Sequence, residues 1–292
     1  MSTDYSVRPL CYSKVDLPRE FFGGVPLHSG EGVSTSPMIY TLLSHRDDSG
    51  VVHHYLVDAG FHAEKWIHRF GFYDWEPPEV VLGKVGVRSE QIEKVFLTHM
   101  HFDHGNNLGA FPNAEVYVQL AEYEGWVRAL GLPSLYTPMG EQSWVTSSFD
   151  RDDMTMYGGL LRDGRLHFTA DGEEVAPGIR AFLSKDGHTF GTQWLGVETS
   201  DGPYVCAGDS VMWYSNVEEM WPSGYTNGNT YKMLLTYGQI HGYVDGELDR
   251  IVPGHDIEVF RRHRSWVSGK NEVAEMRVAS WDESRSEVAA NA

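Results

Sequence analysis

Apolar residues along this chain fall into short runs broken by Gly, Asp, Asn and Pro. Short runs bounded by turn residues predict strands more often than helices. Met38 to His45 and Val51 to Val57 read as a hairpin about Asp47-Asp48-Ser49-Gly50. Lys94 to Thr98 reads as a buried strand and Glu115 to Val118 as another. From 165 to 207 the pattern is strand-rich: Arg165 to Thr169, Glu174-Val175, Ile179 to Leu183, Trp194 to Thr199 and Tyr204 to Cys206. Asp201-Gly202 marks a hairpin there. Helices are expected over Glu64 to Phe70, Leu120 to Leu130, Thr230 to His241 and Ile257 to Trp266.

Three stretches stand outside this pattern. Residues 1–36 carry Phe21-Phe22-Gly23-Gly24 and His28-Ser29-Gly30-Glu31-Gly32, and read as an N-terminal arm packed over the core. Residues 131–163 are rich in Pro, Gly, Ser, Met and aromatics; a connection of that length suits a pocket wall. Residues 279–292 are polar and read as a disordered tail. No internal repeat interrupts residues 37–278, which form one expected domain.

Composition narrows the function classes. A chain of 292 residues with 41% hydrophobic content can build one large core. Its 41 acids against 23 bases give a net charge of −18, which argues against nucleic acid as a partner. Two cysteines, Cys11 and Cys206, are too few for a disulfide framework and point to a reducing compartment. The first residues lack a basic start followed by an apolar run, and no run approaches the ~20 apolar residues of a membrane helix. A cytoplasmic protein without membrane partners is expected.

The chemistry concentrates in one stretch. Phe96 to Leu108 reads FLTHMHFDHGNNL, with His99, His101, Asp103 and His104 where a buried strand gives way to a Gly-Asn turn. His99 and His101 are two apart, so on extended backbone both point to one side. Asp103 and His104 follow the turn and reach a second position. Four ligand-competent side chains at one rigid strand end point to a pair of metals. His53, His54, His62 and His68 lack such partners and read as structural or surface residues.

His99-x-His101-x-Asp103-His104 resembles the signature of the metallo-β-lactamase superfamily. That resemblance implies an α/β (α+β) fold, an αββα sandwich with a two-metal site at one edge of the two sheets. The family adds a later His, a bridging Asp and a last His, each closing a strand. Here Gly187-His188-Thr189, Ala207-Gly208-Asp209 and Pro253-Gly254-His255-Asp256 supply them. The resemblance runs from about Pro37 to His255. Within the superfamily it is strongest for the N-acyl-homoserine lactonases and pyridoxolactonases, through Thr98 to His104, Ala110-Phe111-Pro112-Asn113-Ala114 and Val118 to Glu124. Those lactonases carry a tyrosine three residues after the bridging aspartate, where this chain has Met212; Tyr214 is the nearby alternative. Asp58, closing the second hairpin strand, matches a family acid that supports the metal site.

The resemblance implies His99, His101 and His188 on one divalent metal ion, Asp103, His104 and His255 on the other, and Asp209 bridging. Zinc favours this set, while manganese or iron accept the same ligands. Two such ions ~3.5–4 Å apart share a water and lower its pKa toward neutrality. The implied reaction is hydroxide attack on the carbonyl of a lactone or similar cyclic ester. Asp103 or Asp209 would move the proton, and Tyr214 would bond the carbonyl. The alternative is a thioester, cyclic amide or phosphoester on the same metals. Thioesterases of the glyoxalase II kind keep these seven ligands and bind an anionic substrate through a basic C-terminal region. Arg261, Arg262, His263, Arg264 and Lys270 form such a cluster, or a solvated helix face. True β-lactamases of this fold lack the bridging Asp, and flavin-linked di-iron reductases have an acid where His101 stands. A small-molecule substrate is the expected partner, and the family implies a homodimer.

Overall fold

The computed structural model describes residues 4–23, 32–62, 64–140, 143–149 and 151–283. It opens with β1 (Tyr5–Pro18), which pairs antiparallel with β2 (Val33–Arg46) along nearly its whole length. Alternate residues serve opposite faces of the sheet. Tyr5, Val7, Ile39 and Leu43 enter one core, while Leu10, Tyr12, Tyr40 and Leu42 enter another. Burial on both faces explains why these strands read as apolar runs rather than strict alternation. It also corrects the reading of residues 1–36 as an arm outside the domain. β1 is an interior strand of the larger sheet, and α1 (Arg19–Gly23) follows it with Phe22 buried. His28 and its glycine neighbours fall outside the described residues.

β3 (Val52–Val57) completes the hairpin with β2 and is followed by α2 (Glu64–Phe70) and α3 (Pro78–Gly83). Next come β4 (Ile92–Phe96), α4 (Phe102–Gly105), β5 (Glu115–Gln119), α5 (Leu120–Leu130), α6 (Asp153–Arg162) and β6 (Leu166–Thr169). β3 to β6 run parallel, so their C-terminal ends share one edge. The second sheet takes β7 (Glu173–Ala176), β8 (Ile179–Lys185), β9 (Gly191–Val197), β10 (Tyr204–Gly208) and β11 (Ile251–Pro253). Its last pair, β10 and β11, is parallel. α7 (Tyr214–Glu218) and α8 (Thr230–Tyr243) connect them.

One core joins both sheets with α7 and α8; the other lies between the larger sheet and α2, α3, α5 and α6. The layers are therefore helix, sheet, sheet, helix, as the family resemblance implies. The Gln193 amide crosses between sheets, donating to Leu97 O at 2.7 Å, while its backbone N–H donates to Thr98 O at 2.7 Å. Both bonds lie beside the ligand-rich loop.

The C-terminus departs from expectation. Instead of a helix over Ile257 to Trp266, a single turn, α9 (Val259–Arg262), leads into β12 (Arg264–Ser268) and β13 (Asn271–Glu275). β13 pairs with β1, giving the larger sheet the order β12-β13-β1-β2-β3-β4-β5-β6. The tail reading also fails for residues 279–283. Ala279 is buried, Trp281 Nε1 donates to Asp4 O, and Asp282 pairs with Arg8 at 2.8 Å. Residues 284–292 lie outside the described residues. No helix among the described residues is long and apolar enough to cross a membrane.

Candidate metal centre

The seven residues singled out in the sequence are far apart in the chain and converge at one edge of the sandwich. β4 ends at Phe96, and His99, His101, Asp103 and His104 follow in the loop and α4. His188 lies in the β8–β9 connection, Asp209 directly after β10, and His255 two residues past β11. Parallel strands put their C-terminal ends side by side, which brings the His99–His104 stretch, Asp209 and His255 to sheet edges, and the antiparallel β8–β9 turn adds His188. The approach of β10 and β11 requires glycine at 254, because an added Cβ would collide with Asp209 Oδ1.

Asp209 sits at the middle. Its Oδ2 lies 3.2 Å from His188 Nε2 and 3.8 Å from His99 Nε2. Its Oδ1 lies 3.0 Å from His255 Nε2 and 3.3 Å from His104 Nε2. Asp103 Oδ2 is 3.5 Å from His255 Nε2 and 3.7 Å from His104 Nε2. His101 Nδ1 lies 3.1 Å from His188 Nε2. The potential ligand atoms of His99, His101, His188 and Asp209 lie within 4.8 Å of one another, and so do those of Asp103, His104 and His255. Two imidazole nitrogens turned toward one carboxylate oxygen is the geometry of a cation site.

Unpartnered atoms test that fit. Buried polar atoms normally find a hydrogen-bond partner. His99 Nε2, His104 Nε2 and Asp209 Oδ1 are buried without one, and all three face the centre. The outward nitrogens, by contrast, are mostly engaged. His101 Nε2 meets Asn227 Oδ1 at 2.7 Å, so it is the protonated nitrogen and leaves Nδ1 free to ligate. His104 Nδ1 donates to Asp58 Oδ2 at 2.7 Å, and His255 Nδ1 to Pro37 O at 3.2 Å. His99 Nδ1 reaches Thr98 Oγ1 at 3.1 Å, whose hydroxyl in turn donates to Asp58. Asp58 also accepts the Thr98 backbone N–H at 2.7 Å, so one carboxylate steadies both His99 and His104. The donor set, five imidazoles and two carboxylates, suits divalent metal ions.

Charge is divided unevenly. Burial, with His104 and His101 nearby, holds His99 well below the ordinary histidine range. Burial likewise brings His101 down to about 4 and His188 to about 3. These three imidazoles are neutral at physiological pH, which is the ligating form. For His104, burial is outweighed by Asp209, Asp58 and Asp103, and its pKa is raised well above normal. His255 is raised against burial by Asp209 and Asp103. Burial opposes the charge on Asp209, yet His255, His104 and His188 hold it well below the usual carboxylate range. Positive charge is thus favoured on the Asp103 side of the centre.

A compact chamber opens on that side. It is lined by His101, Asp103, Asp209 and His255 together with Phe21, Phe22, Phe70, Phe72, Met212 and Tyr225. Phe21 stacks on Tyr225 with ring centroids 4.7 Å apart, and the Phe22 ring lies 5.1 Å from the His255 ring. Among the described residues, no lysine or arginine lines the chamber. A larger cavity of about 420 Å³ lies behind Asn227, walled by α5, Trp144, Val145 and Phe190.

Several assignments change. Tyr214 does not reach the centre: its buried hydroxyl donates to Ile251 O at 2.8 Å, beneath the Arg262 guanidinium. The tyrosine at the chamber is Tyr225, held by Ser147 and Ser148 at 2.8 and 2.6 Å. The basic cluster is spent elsewhere, with Arg262 on Glu218 and Asp249, and Arg261 on Glu258. The long stretch 131–163 is mixed: Ser148 reaches the chamber and Trp144 the larger cavity, whereas Phe149 and Tyr157 are core. Asn227, Tyr225 and the buried Glu122 were not separable from ordinary loop and helix residues by sequence pattern.

Comparison with known proteins agrees with this architecture. The family model of the metallo-beta-lactamase superfamily matches residues 47–255. An N-acyl homoserine lactonase of a Bacillus species is 27% identical over 185 residues, which is 61% of this chain and 61% of that protein. Its Bacillus cereus counterpart is 25% identical over the same span. The chain thus matches about three fifths of the length of these relatives. A probable metal-dependent hydrolase from Staphylococcus aureus superposes with a TM-score of 0.69 at 20% identity, covering 88% of this chain and 91% of the other. A quorum-quenching N-acyl homoserine lactone lactonase gives 0.63 at 20% identity, covering 90% and 97%. At those identities the structural likeness speaks for the fold. With the family model spanning well over half of it, the chain belongs to the metallo-β-lactamase superfamily.

Proposed function

We propose that this protein is a two-metal hydrolase that opens a lactone or similar cyclic ester. The observation that carries the reading is Asp209: its two carboxylate oxygens face two different histidine pairs, beside an aromatic chamber with no lysine or arginine among the described residues that line it. His99, His101 and His188 would hold one ion; Asp103, His104 and His255 the other, with Asp209 shared. Zinc is the ion this nitrogen-rich set favours. Bound divalent ions would supply Lewis acidity and a water of lowered pKa. The protein's own residues do the rest. Phe21, Phe22, Phe70 and Phe72 exclude water and hold the apolar part of an uncharged substrate. Asp103, at the chamber wall, takes the proton and returns it to the leaving oxygen. Tyr225, also at the wall, donates a hydrogen bond to the substrate. The lactonases among the relatives support this substrate class, whereas an anionic thioester would meet no free cationic cluster in the chamber.

The test is acid release from a panel of homoserine lactones and aromatic lactones by zinc-loaded protein, with a chelator-treated control. Chelator-sensitive opening is expected. Zinc-replete protein that opens no lactone yet cleaves a thioester or cyclic amide would move the assignment to those bonds.

A further inference from the structure

We infer that Glu122 is a positioning residue of the metal centre, pinning the loop of His99 and His101 to the loop of His188. The inference rests on the two-metal reading above and deepens it.

Glu122 lies in the first turn of α5 with no exposed surface. Its Oε1 accepts the Met100 backbone N–H at 3.0 Å and Trp126 Nε1 at 2.8 Å. Its Oε2 accepts the Thr189 hydroxyl at 2.6 Å and the Gly191 backbone N–H at 2.7 Å. A carboxylate has about four lone-pair sites, and here every one meets a donor. Met100 stands between His99 and His101, so a twist at its peptide moves both imidazoles. Thr189 directly follows His188. The same carboxylate therefore fixes the relative position of three potential ligands that come from opposite sheets.

Ordinary helix docking does not require this arrangement. A carboxylate buried among neutral donors is costly, and an apolar side chain would dock α5 without that cost. The backbones are already in contact without it: an added Cβ at Gly191 would collide with the Glu122 backbone, and one at Gly125 with the Phe190 ring. What the carboxylate adds is a rigid link between the two loops. Supporting groups of this kind typically change metal affinity by about 10–100-fold.

The test is Glu122→Gln in the full chain. The glutamine keeps one acceptor oxygen but presents an amide N–H₂ to the other pair of donors, so one loop loses its anchor. Metal-free wild type and variant are titrated with zinc against a chelating indicator, and amide exchange at Met100 and Gly191 is measured. We expect one of two zinc ions to bind about 10–100-fold more weakly, the other to be unchanged, and one of the two amides to exchange faster. Activity at saturating substrate falls while KM holds. A folded variant with two wild-type zinc affinities and wild-type exchange overturns the inference. Should that variant not fold, Thr189→Val, which removes one donor, is judged by the same criteria with a smaller shift. A wild type that binds two zinc ions and opens no ester, while E122Q loses one, sinks the hydrolase reading alone. An active wild type with an unchanged E122Q sinks this inference alone, and a wild type that binds no zinc overturns both.

Discussion

The two halves of the metal centre are built on different principles. His99, His101 and His188 are buried and neutral, and are held by Thr98, Asn227 and, through the backbone, the loops that the Glu122 carboxylate ties together. Asp103, His104 and His255 lie among carboxylates, with Asp58, Asp103 and Asp209 all near His104, and Asp103 is the most exposed of the seven. The first half is fixed from behind and reaches the chamber only through His101. The second reaches it through Asp103 and His255. The contrast lies in what surrounds each cluster of potential ligands, and each can be broken separately.

Asp209 is where the halves meet, so its loss should have the largest effect. Asp209→Asn removes one charged oxygen from between the histidine pairs. Metal analysis should find fewer than two zinc ions per chain, and turnover should fall by roughly 10³-fold, the scale of losing a group that stabilises developing charge. Full zinc content in that variant would show that the halves do not share this carboxylate.

Asp58 sharpens the comparison from one side. It bonds His104 directly and His99 only through Thr98. Asp58→Asn should therefore weaken zinc at the Asp103–His104–His255 half by about 10–100-fold and the other half by less. Equal weakening of both, read from the two steps of a zinc titration, would mean that the Thr98 relay carries as much as the direct bond.

How much of this was legible in the sequence depends on the kind of interaction. Four of the seven candidate ligands, His99, His101, Asp103 and His104, were readable because metal chemistry restricts residue type and they crowd one strand end; His188, Asp209 and His255 were readable only through the family resemblance. Strand positions followed from apolar runs bounded by turn residues, and the layer order only from the family resemblance of the His99–His104 stretch. What could not be read was pairing across long separations. β1 looked like an arm because nothing local tells an interior strand from an extended loop; its identity comes from pairing with β13 at the far end of the chain. Glu122 and Glu124 are two apart on one helix, yet the first is buried and the second lies at the exposed rim of a cavity. Asn227 and Asn229 are equally close, and one orients His101 while the other caps α8 by accepting from Tyr231 and Lys232. Tertiary contact alone separates such pairs.

The second half also has a pH-dependent support. Asn106, two residues after His104, donates to Asp153 Oδ1 at 2.6 Å, and burial raises the Asp153 carboxyl to about 6. The folded form keeps this proton longer than the unfolded chain, whose carboxyl titrates near 3.8. Its contribution to stability is therefore full below about pH 4 and is lost as pH rises through about 6, a change of up to roughly 3 kcal/mol. Urea unfolding of wild type and Asp153→Asn at pH 4.5 and pH 7.5 should show the variant gaining relative to wild type at the higher pH. A constant difference between the two would mean that Asp153 is ionised throughout.

The smallest effects separate two tyrosines. Tyr225 lines the chamber on the ring side of His101 and His188, while Tyr214 points its hydroxyl into the core under Arg262. Tyr225→Phe removes a hydroxyl at the substrate, and turnover should fall about tenfold, the equivalent of about 1.4 kcal/mol. It also frees Ser147 and Ser148, so its melting temperature should be compared with wild type first. Tyr214→Phe leaves Ile251 O without its donor, which should cost about 1 kcal/mol of stability and no turnover. The ranking matters more than either size. If Tyr214→Phe were the variant that lost activity, the chamber side of the centre would have been misassigned, and the group that handles the proton would have to be sought toward α7 instead.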